Sequence, residues 1–600
     1  MSDDLIREAK DFFEEAQSFE SEWRTLWADD LRFGAGDQWD DIAKRARDGS
    51  DGEAPRPTMV FDQTDQYIRQ IVNDMRMNPV AMKALGVDDV SDPEVAEKLQ
   101  ELFRHIEAVS RAPMAYFTAG EWAARIGRGF FRVYGAPVGD PKRNLYEPRI
   151  GTIENALNVY FDPLSVKLDG SDASDAILVV EMSKKSFKRK YGIDAGSWED
   201  DDKGWSTNDS VRIAEWHSVR EGKAKKVKDE QGEYSPDEYG KMVAAGERKG
   251  DNYREEESTE KRARIRKVTC HEILEDDDFA GGAVGLIPVY GNIRYTDKGR
   301  DVRGAIRNAK DSQRLLNYLG SNFAEAASGQ TKTPWIAPAE ATAGYEHMWD
   351  NANRVPFSTL YYNQFHKGQP VNAPTRNNVD LNLAGYANSM QFMSGMIQAS
   401  LGQYQASIGG PSRETSRVAI DKREQQSDTA TYHYNGNLAV SIEYAGRIVM
   451  RCISAYYDVA RVQKILGEDN ESGMVMIDPN APAPYQRGED PRTGKAMEVL
   501  NPRLGEYDVI TSIGPSFTTK REQAAAQLGE IMARNPQEMA IGGDIYYNTL
   551  DVPGAKQLAK RKSFPTGVIS FARVLGQCEN VEPMRVTVDG VQVRAWRRTH

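Results

Sequence analysis

The sequence predicts a mixed α+β, helix-rich chain, and three observations carry that reading. Residues 2–31 repeat apolar side chains at helical spacing, residues 414–463 are dense in helix formers, and short segments such as 159–163 and 176–180 are β-branched and aromatic. A length of 600 residues corresponds to about three to five domain-sized units, or to one elongated subunit.

The first helix is predicted from Ser2, which can cap, from Asp3 and Asp4 in the first turn, and from a face of Leu5, Ala9, Phe12, Ala16, Phe19, Trp23 and Leu26. A mostly helical region follows over 62–132, punctuated at Asn78-Pro79 and Asp92-Pro93, and Gly127 to Val133 reads as a helix stop running into a strand. Strand-like pieces lead through 159–163 and 176–180 to a region, 211–300, where charge runs alternate in sign. There Arg262, Arg264 and Arg266 alternate with Ala263 and Ile265, as expected of a strand with one wet cationic face, and the region reads as a small exposed α+β projection.

Next comes a cationic helix over 301–327. Arg300, Arg303, Arg307, Lys310 and Arg314 recur at steps of three and four, which places all five on one helical face over roughly 20 Å. A β-like section over 334–360 and a helix over 380–407 follow, and Ile408-Gly409-Gly410-Pro411 breaks the periodicity. In the long helical stretch 414–463, Asn435-Gly436 is a turn signal that admits a kink. The chain closes with a Pro-rich loop region over 480–503, a strand at 507–510, and a capping box at Thr519 to Glu522.

Composition narrows the class. No apolar run approaches the ~18 residues of a membrane span, and the acidic start Met1-Ser2-Asp3-Asp4 is unlike a signal peptide, so synthesis in the cytosol is expected. Three scattered cysteines, Cys270, Cys452 and Cys578, do not make a disulfide framework. A net charge of −13 requires any contact with nucleic acid to be local and patterned.

Catalytic chemistry finds little support. The segment from Gly488 to Lys495 has five residues between its glycines where a phosphate loop has four, and Ala496 stands where Mg²⁺ would need a hydroxyl. Gly34-Ala35-Gly36 lacks the third glycine of a dinucleotide fold, and Cys270-His271 has no second pair to complete a zinc site. The acidic runs 199–202 and 275–278 leave one enzymatic alternative, a metal-dependent nucleic-acid-processing enzyme using Asp276 and Asp278. No catalytic residue, metal or cofactor is otherwise expected.

A set of motifs, in this order, resembles the portal or head-to-tail connector proteins of short-tailed double-stranded DNA bacteriophages. They are Val159-Tyr160-Phe161-Asp162-Pro163, Ile287-Pro288-Val289-Tyr290-Gly291, Ile306 to Arg314, Lys332-Thr333-Pro334-Trp335-Ile336, Ser416 to Ile420, Tyr456 to Arg461, and Tyr507-Asp508-Val509 with Gly514 to Thr519. Two departures stand out: Arg417 replaces a glycine common in relatives, and no long C-terminal helix follows. The basic end Arg594-Ala595-Trp596-Arg597-Arg598 has no counterpart in the resemblance.

The resemblance implies an elongated, non-enzymatic subunit of a ring, typically a dodecamer, at one capsid vertex of the virion. Double-stranded DNA would pass through it without sequence preference. It implies a wing from 1–210, a clip at 211–300, a stem helix at 301–330, wing strands and helix at 331–405, a channel loop at 406–415 with Gly409, Gly410, Arg413 and nearby Arg417, a long wing helix at 416–506, and a crown at 507–600. Implied partners are the packaging motor (terminase), tail adaptors, and capsid and scaffolding proteins, with no membrane. The basic stripe would face either DNA or acidic residues of the neighbouring subunit. Another ring component, such as a tail adaptor, is the structural alternative.

Overall fold

The computed structural model describes residues 2–49, 55–87, 92–139, 145–195, 205, 209–229, 232–234, 236, 239–240, 243, 253–297, 299–330, 334–376, 383–402, 417–467, 472–489, 496–513, 528–529, 581–588 and 591–598. Gly409, Gly410 and Arg413, the acidic run 199–202, the capping box at Thr519 and Cys578 lie outside the described residues. The chain divides into two compact units, one of residues 1–76 and 80–513, the other of residues 77–79 and 514–600.

In the larger unit, helix α1 (Ser2–Gly34) forms as predicted, but the face it buries is offset from the predicted one. Ile6, Ala9, Phe13, Ala16 and Trp27 are buried, whereas Phe19 and Leu26 are 53% and 40% exposed. The physical reason is that Glu20 and Asp30, each 1% exposed, share the inner face and take cations from elsewhere in the chain. Helix α2 (Asp41–Arg47) follows, capped by Asp40.

The predicted helical region 62–132 holds three helices and a strand: α3 (Thr64–Met77), β1 (Val80–Gly86), α4 (Pro93–Ser110) and α5 (Ala112–Ile126). Asp92 caps α4 through the Glu94 amide, with Pro93 in the first turn where its missing N–H costs nothing. Strand β1 pairs antiparallel with Tyr507–Ile513. Gly127 ends α5 at φ 102, and a Cβ there would come within 2.6 Å of the Arg303 backbone. Strand β2 (Arg128–Pro137) starts at once, the predicted stop into a strand.

Strands β3 (Tyr146–Thr152), β4 (Val159–Phe161) and β5 (Asp175–Ser183), then helix α6 (Lys184–Tyr191), lead into β6 (Ser210–Asp229). After the short β7 (Gly232–Tyr234) come β8 (Arg254–Val268), β9 (Ile273–Phe279) and β10 (Leu286–Tyr290). They form a three-stranded sheet in the order β10-β2-β3 and a larger antiparallel sheet in the order β4-β5-β6-β8-β9. The expected boundary at 210–211 thus falls inside a sheet, because β6 pairs with β5 from Ser210 to Ser218. The alternating charge runs have a register: Lys225 and Lys226 stand opposite Glu257 and Glu256.

The hairpin β11 (Asn292–Thr296) and β12 (Gly299–Arg303) precedes helix α7 (Ala305–Gln330). The predicted β-like section over 334–360 contributes only Trp335–Ile336 paired with Thr375–Arg376, besides two short helices. Helix α8 (Leu383–Leu401) packs on α7 around Ile397 and Leu316. Helix α9 (Arg417–Tyr456) then runs through Asn435-Gly436 without a break. Asn437 is held there by donating to the Tyr290 and Gly291 carbonyls at 3.0 and 2.8 Å, and Ser441 donates to Pro288 at 2.6 Å. The motif Ile287 to Gly291 is therefore a strand docked on the long helix.

Beyond α9 the expected helix to 463 gives way to β13 (Arg461–Leu466) and β14 (Ser472–Ile477). Likewise the expected loop over 480–503 contains β15 (Tyr485–Glu489) and β16 (Ala496–Leu500), which complete a sheet in the order β13-β14-β16-β15. Strand β17 (Tyr507–Ile513) closes the pairing with β1. The main core lies between α3, α4, α5, α9 and the β10-β2-β3 sheet, with Leu99, Phe103, Phe131, Ile287, Ile442 and Ile453 at most 1% exposed. Of the smaller unit, the structure describes chiefly the hairpin β18 (Val581–Val588) and β19 (Val591–Arg598).

Candidate functional site

The basic stripe does not lie on one helix. Arg300 and Arg303 belong to β12, and only Arg307, Lys310 and Arg314 are on α7, because the chain makes a hairpin before the helix begins at Ala305. Arg300 donates to the Val166 carbonyl at 3.0 Å and to the Tyr290 hydroxyl at 3.2 Å, with its guanidinium 4.5 Å from the Tyr290 ring centre. It clamps the loop after the Val159 to Pro163 motif. Arg303 pairs with Asp301 at 2.5 Å.

Arg307 and Lys310 meet carboxylates of α1. Arg307 donates to Asp30 at 2.9 Å, and Lys310 donates to Asp30 at 3.0 Å and to Asp29. Asp30 is 2% exposed at its side chain, Lys310 9% and Arg307 13%, so this is a buried ion cluster within one chain. Burial alone would raise the Asp29 carboxyl, but the Lys310 hydrogen bond and charge outweigh it and hold Asp29 below the usual carboxylate range. Of the three helical cations, Arg314 is the exposed one, its guanidinium 5.6 Å from the Phe33 ring centre.

A second set of α7 residues, which periodicity did not single out, fastens the extended segment ahead of α3. Gln313, Asn317 and Ser321, spaced by four and each at most 1% exposed, accept from the amides of Gln63, Phe61 and Met59 at 3.1, 2.8 and 2.9 Å. Four helical residues rise about 6.0 Å and two extended residues about 6.6 Å, so the two periods match closely enough for a ladder of three bonds. Gln313 also donates to the Phe61 carbonyl at 2.8 Å, and Asn317 to Gln38 at 2.7 Å. Gly320 leaves room for the Phe61 ring, which a Cβ would approach to 2.3 Å. The spacing Gln313-Asn317-Ser321 inside an otherwise apolar helical face was the signal available in the sequence.

The β8 arginines are likewise matched within the chain. Arg266 pairs with Asp276 at 3.0 Å and donates to Ser218 at 2.9 Å, and Arg264 lies 3.2 Å from both Asp276 and Asp278. The expected wet cationic face is corrected: Arg266 is buried and Arg264 half-buried against an acidic neighbouring strand, leaving Arg262 as the exposed member. The same pairs engage the two carboxylates on which a metal-dependent enzyme would depend. Among the described residues, no group of three or more His, Cys, Asp or Glu side chains is placed to hold a metal ion.

A cleft of about 760 Å³ lies between β2 and the larger sheet. Two pairs of its charged groups meet one another: Arg132 donates to both Glu215 oxygens at 2.9 Å, and Lys267 pairs with Glu275 at 2.5 Å. Burial would raise the Glu215 carboxyl, but hydrogen bonds and charge from His217 and Arg132 overcome it and take it down to about 2. Among the described residues that line it there is no Ser, Thr or Cys. Arg417 is the first residue of α9, and no helix among the described residues is long and apolar enough to cross a membrane.

A family model described as "Phage P22-like portal protein" matches residues 10–572. Among curated proteins, the "Portal protein" of Acyrthosiphon pisum secondary endosymbiont phage 1 is 25% identical over 555 residues, covering 86% of this chain and 74% of that protein.

Proposed function

The chain belongs to the phage P22-like portal protein family, a structural family, and from that premise we propose that it forms the ring-shaped DNA channel at a single capsid vertex, used in genome packaging and ejection. The observation that carries the proposal is the family match across nearly the whole chain. Twelve subunits, the typical number implied by the resemblance, would surround the channel, with α7 as stem, the β6–β9 sheet toward the clip, and α8 and α9 in the wing. Terminase would dock during packaging, tail adaptors would replace it, and capsid and scaffolding proteins would meet the wing. Assembly would take place in the cytoplasm of the host bacterium, and the finished ring would be a virion component.

The stripe takes a narrower part in this proposal than its spacing suggested. Arg307 and Lys310 tie α7 to α1, Arg300 and Arg303 hold the hairpin before it, and Arg314 is the stripe member available to DNA or to a neighbouring subunit. Phosphate contacts from such a residue carry no sequence information, as a conduit for any genome requires. Gly409, Gly410, Arg413 and Arg417 remain the proposed channel loop and its edge.

Electron microscopy of the purified full-length protein tests the proposal. Closed rings with a central hole wide enough for duplex DNA are expected, and a particle confined to monomers or globular dimers at high concentration overturns it. Incubation of DNA with Mg²⁺ or Mn²⁺ is expected to leave it intact; cleavage abolished by Asp276→Asn with Asp278→Asn would restore the enzymatic reading.

A further inference from the structure

We infer that the loop over residues 162–172 of one subunit seats Leu164 and Val166 in the cleft between β2 and the larger sheet of a second copy of this chain, with Lys167 meeting Asp277. The inference rests on the ring reading for the presence of a neighbouring copy, and it names two surfaces by which neighbours would meet.

The loop is built for display. Asp162 accepts from the amides of Leu164 and Ser174 at 2.9 and 2.8 Å. Asp172 accepts from the Ser165 hydroxyl at 2.7 Å and from the amides of Val166 and Lys167 at 2.7 and 3.1 Å. From the hairpin beside it, Arg300 donates to the Val166 carbonyl at 3.0 Å. With its backbone held by these three side chains, the loop still turns Leu164 and Val166 outward, 82% and 77% exposed. A single exposed leucine is ordinary. Two apolar groups on a loop that is already ordered lose little freedom on docking, which is what a preorganised anchor requires.

The same chain carries a seat of matching character. The cleft of about 760 Å³ is lined by Tyr134, Tyr146, Val180, Met182, Ile213 and Tyr456 beside its charged groups. Pockets of about 300–1,000 Å³ are the size that buries apolar groups. Strand register explains the lining: Val180 stands opposite Ile213, Glu215 opposite Lys267 and Ile265 opposite Asp277, so these side chains share one face of the larger sheet. Leu164 and Val166 do not fill the cleft of their own chain, since both are exposed there. Loop and cleft lie toward opposite ends of β5. Ser174 closes the loop just before the strand begins at Asp175, whereas Val180 and Met182 line the cleft roughly 17–23 Å farther along. A projection and a recess at two places on one chain make a heterologous contact, the type that generates rings.

Charge favours the same pairing. Of the lining carboxylates, Glu215, Glu275 and Asp278 pair with Arg132, Lys267 and Arg264 at 2.9, 2.5 and 3.2 Å. Asp277 is exposed and has no ion pair with a described residue. Lys190, the remaining lining cation, places its ammonium 5.0 Å from the Tyr191 ring centre. On the loop, Lys167 is exposed beside Val166 and likewise has no ion pair with a described residue. An apolar anchor flanked by a cation thus faces an apolar recess flanked by an anion, the complementarity that fixes register between partners.

Full-length variants are compared with wild type by sedimentation velocity over a concentration series, and closed rings are scored separately by electron microscopy. Leu164→Ser with Val166→Ser is expected to weaken self-association at least about tenfold, and Val180→Arg, which places a charge on the cleft wall, by a similar factor. Lys167→Glu and Asp277→Lys are each expected to weaken it about threefold or more, and the two together to return within about twofold of wild type. Circular dichroism checks that each variant is folded. If Val180→Arg does not fold, the loop variant and the charge exchange serve, since Leu164, Val166, Lys167 and Asp277 are all exposed.

Unchanged self-association in the loop variant, or a charge exchange that restores nothing, overturns the proposal. A wild-type protein that stays monomeric at high concentration overturns it together with the ring reading. Rings that form equally well without Leu164 and Val166 sink this contact alone, and association that depends on loop and cleft but never closes into rings sinks the channel reading alone.

Discussion

Replacing Asp30 by Asn is expected to loosen α1 from α7 and to expose how much of the stripe is structural. Asp30 is 2% exposed and accepts from Arg307 at 2.9 Å and Lys310 at 3.0 Å, so the substitution removes the one negative charge common to two buried cations. Lys310 keeps Asp29, whose side chain is 44% exposed and therefore a weaker partner, while Arg307 loses its ion pair with Asp30. Breaking one partner of a buried pair costs about 3–5 kcal/mol, chiefly from the charge left behind. Peptides covering residues 22–34 and 305–316 should then exchange amide hydrogens faster by about two orders of magnitude or more, since each 1.4 kcal/mol is tenfold. A triple replacement, Asp30→Leu with Arg307→Leu and Lys310→Met, should recover most of the protection, because a well-packed apolar set of similar size carries no desolvation cost. Hydrogen exchange with mass spectrometry reads both variants. Protection within threefold of wild type in Asp30→Asn, or a triple variant as loose as the single, would refute the reasoning.

Two further outcomes follow from the same geometry. Gly320→Val should destabilise the α7 region by about 1–3 kcal/mol, because the new side chain meets the Phe61 ring, and adding Phe61→Ala should restore part of the loss; thermal unfolding of the pair of variants checks both. Glu215, held down at about 2 by His217 and Arg132 despite its burial, stabilises the fold above its unfolded value near 4.5. That contribution, about 3 kcal/mol, should disappear as pH falls from about 4.5 through 2, and Glu215→Gln should flatten this part of the stability curve measured by urea titration.

What the sequence made legible was local. The stop at Gly127, the strand at residues 159–161 and the helical identity of α1, α7 and α9 all follow from periodicity and caps within a window of a few turns. Strand β1 was missed because Ala81, Met82, Lys83, Ala84 and Leu85 are helix formers. Its strand state is imposed by pairing with β17, more than four hundred positions away. Asn435-Gly436 looked like a break for the converse reason: the side chain of Asn437 is occupied by the β10 backbone, a tertiary partner that local turn chemistry does not register. The stripe was visible and its partners were not. Asp29 and Asp30 did leave a hint, since two carboxylates in the last turns of a helix oppose its dipole and ask for cations to offset them.

Charge and amide bonds divide the work along α7. Near its start, Arg307 and Lys310 are neutralised by Asp29 and Asp30; farther on, Gln313, Asn317 and Ser321 take backbone amides from residues 59–63; near its end, Glu325 pairs with Arg56 at 2.9 Å and with Arg47 at 3.3 Å. One side of the helix is thus fastened to residues 29–63 of its own chain over most of its length. Salt would weaken the exposed Arg56–Glu325 pair and leave the buried cluster and the amide ladder largely intact, since ions screen exposed pairs far more than buried ones. In a ring, a helix fixed in this way would keep its tilt as ionic conditions change, with Arg314 at the exposed margin of this same side, its guanidinium 5.6 Å from the Phe33 ring centre.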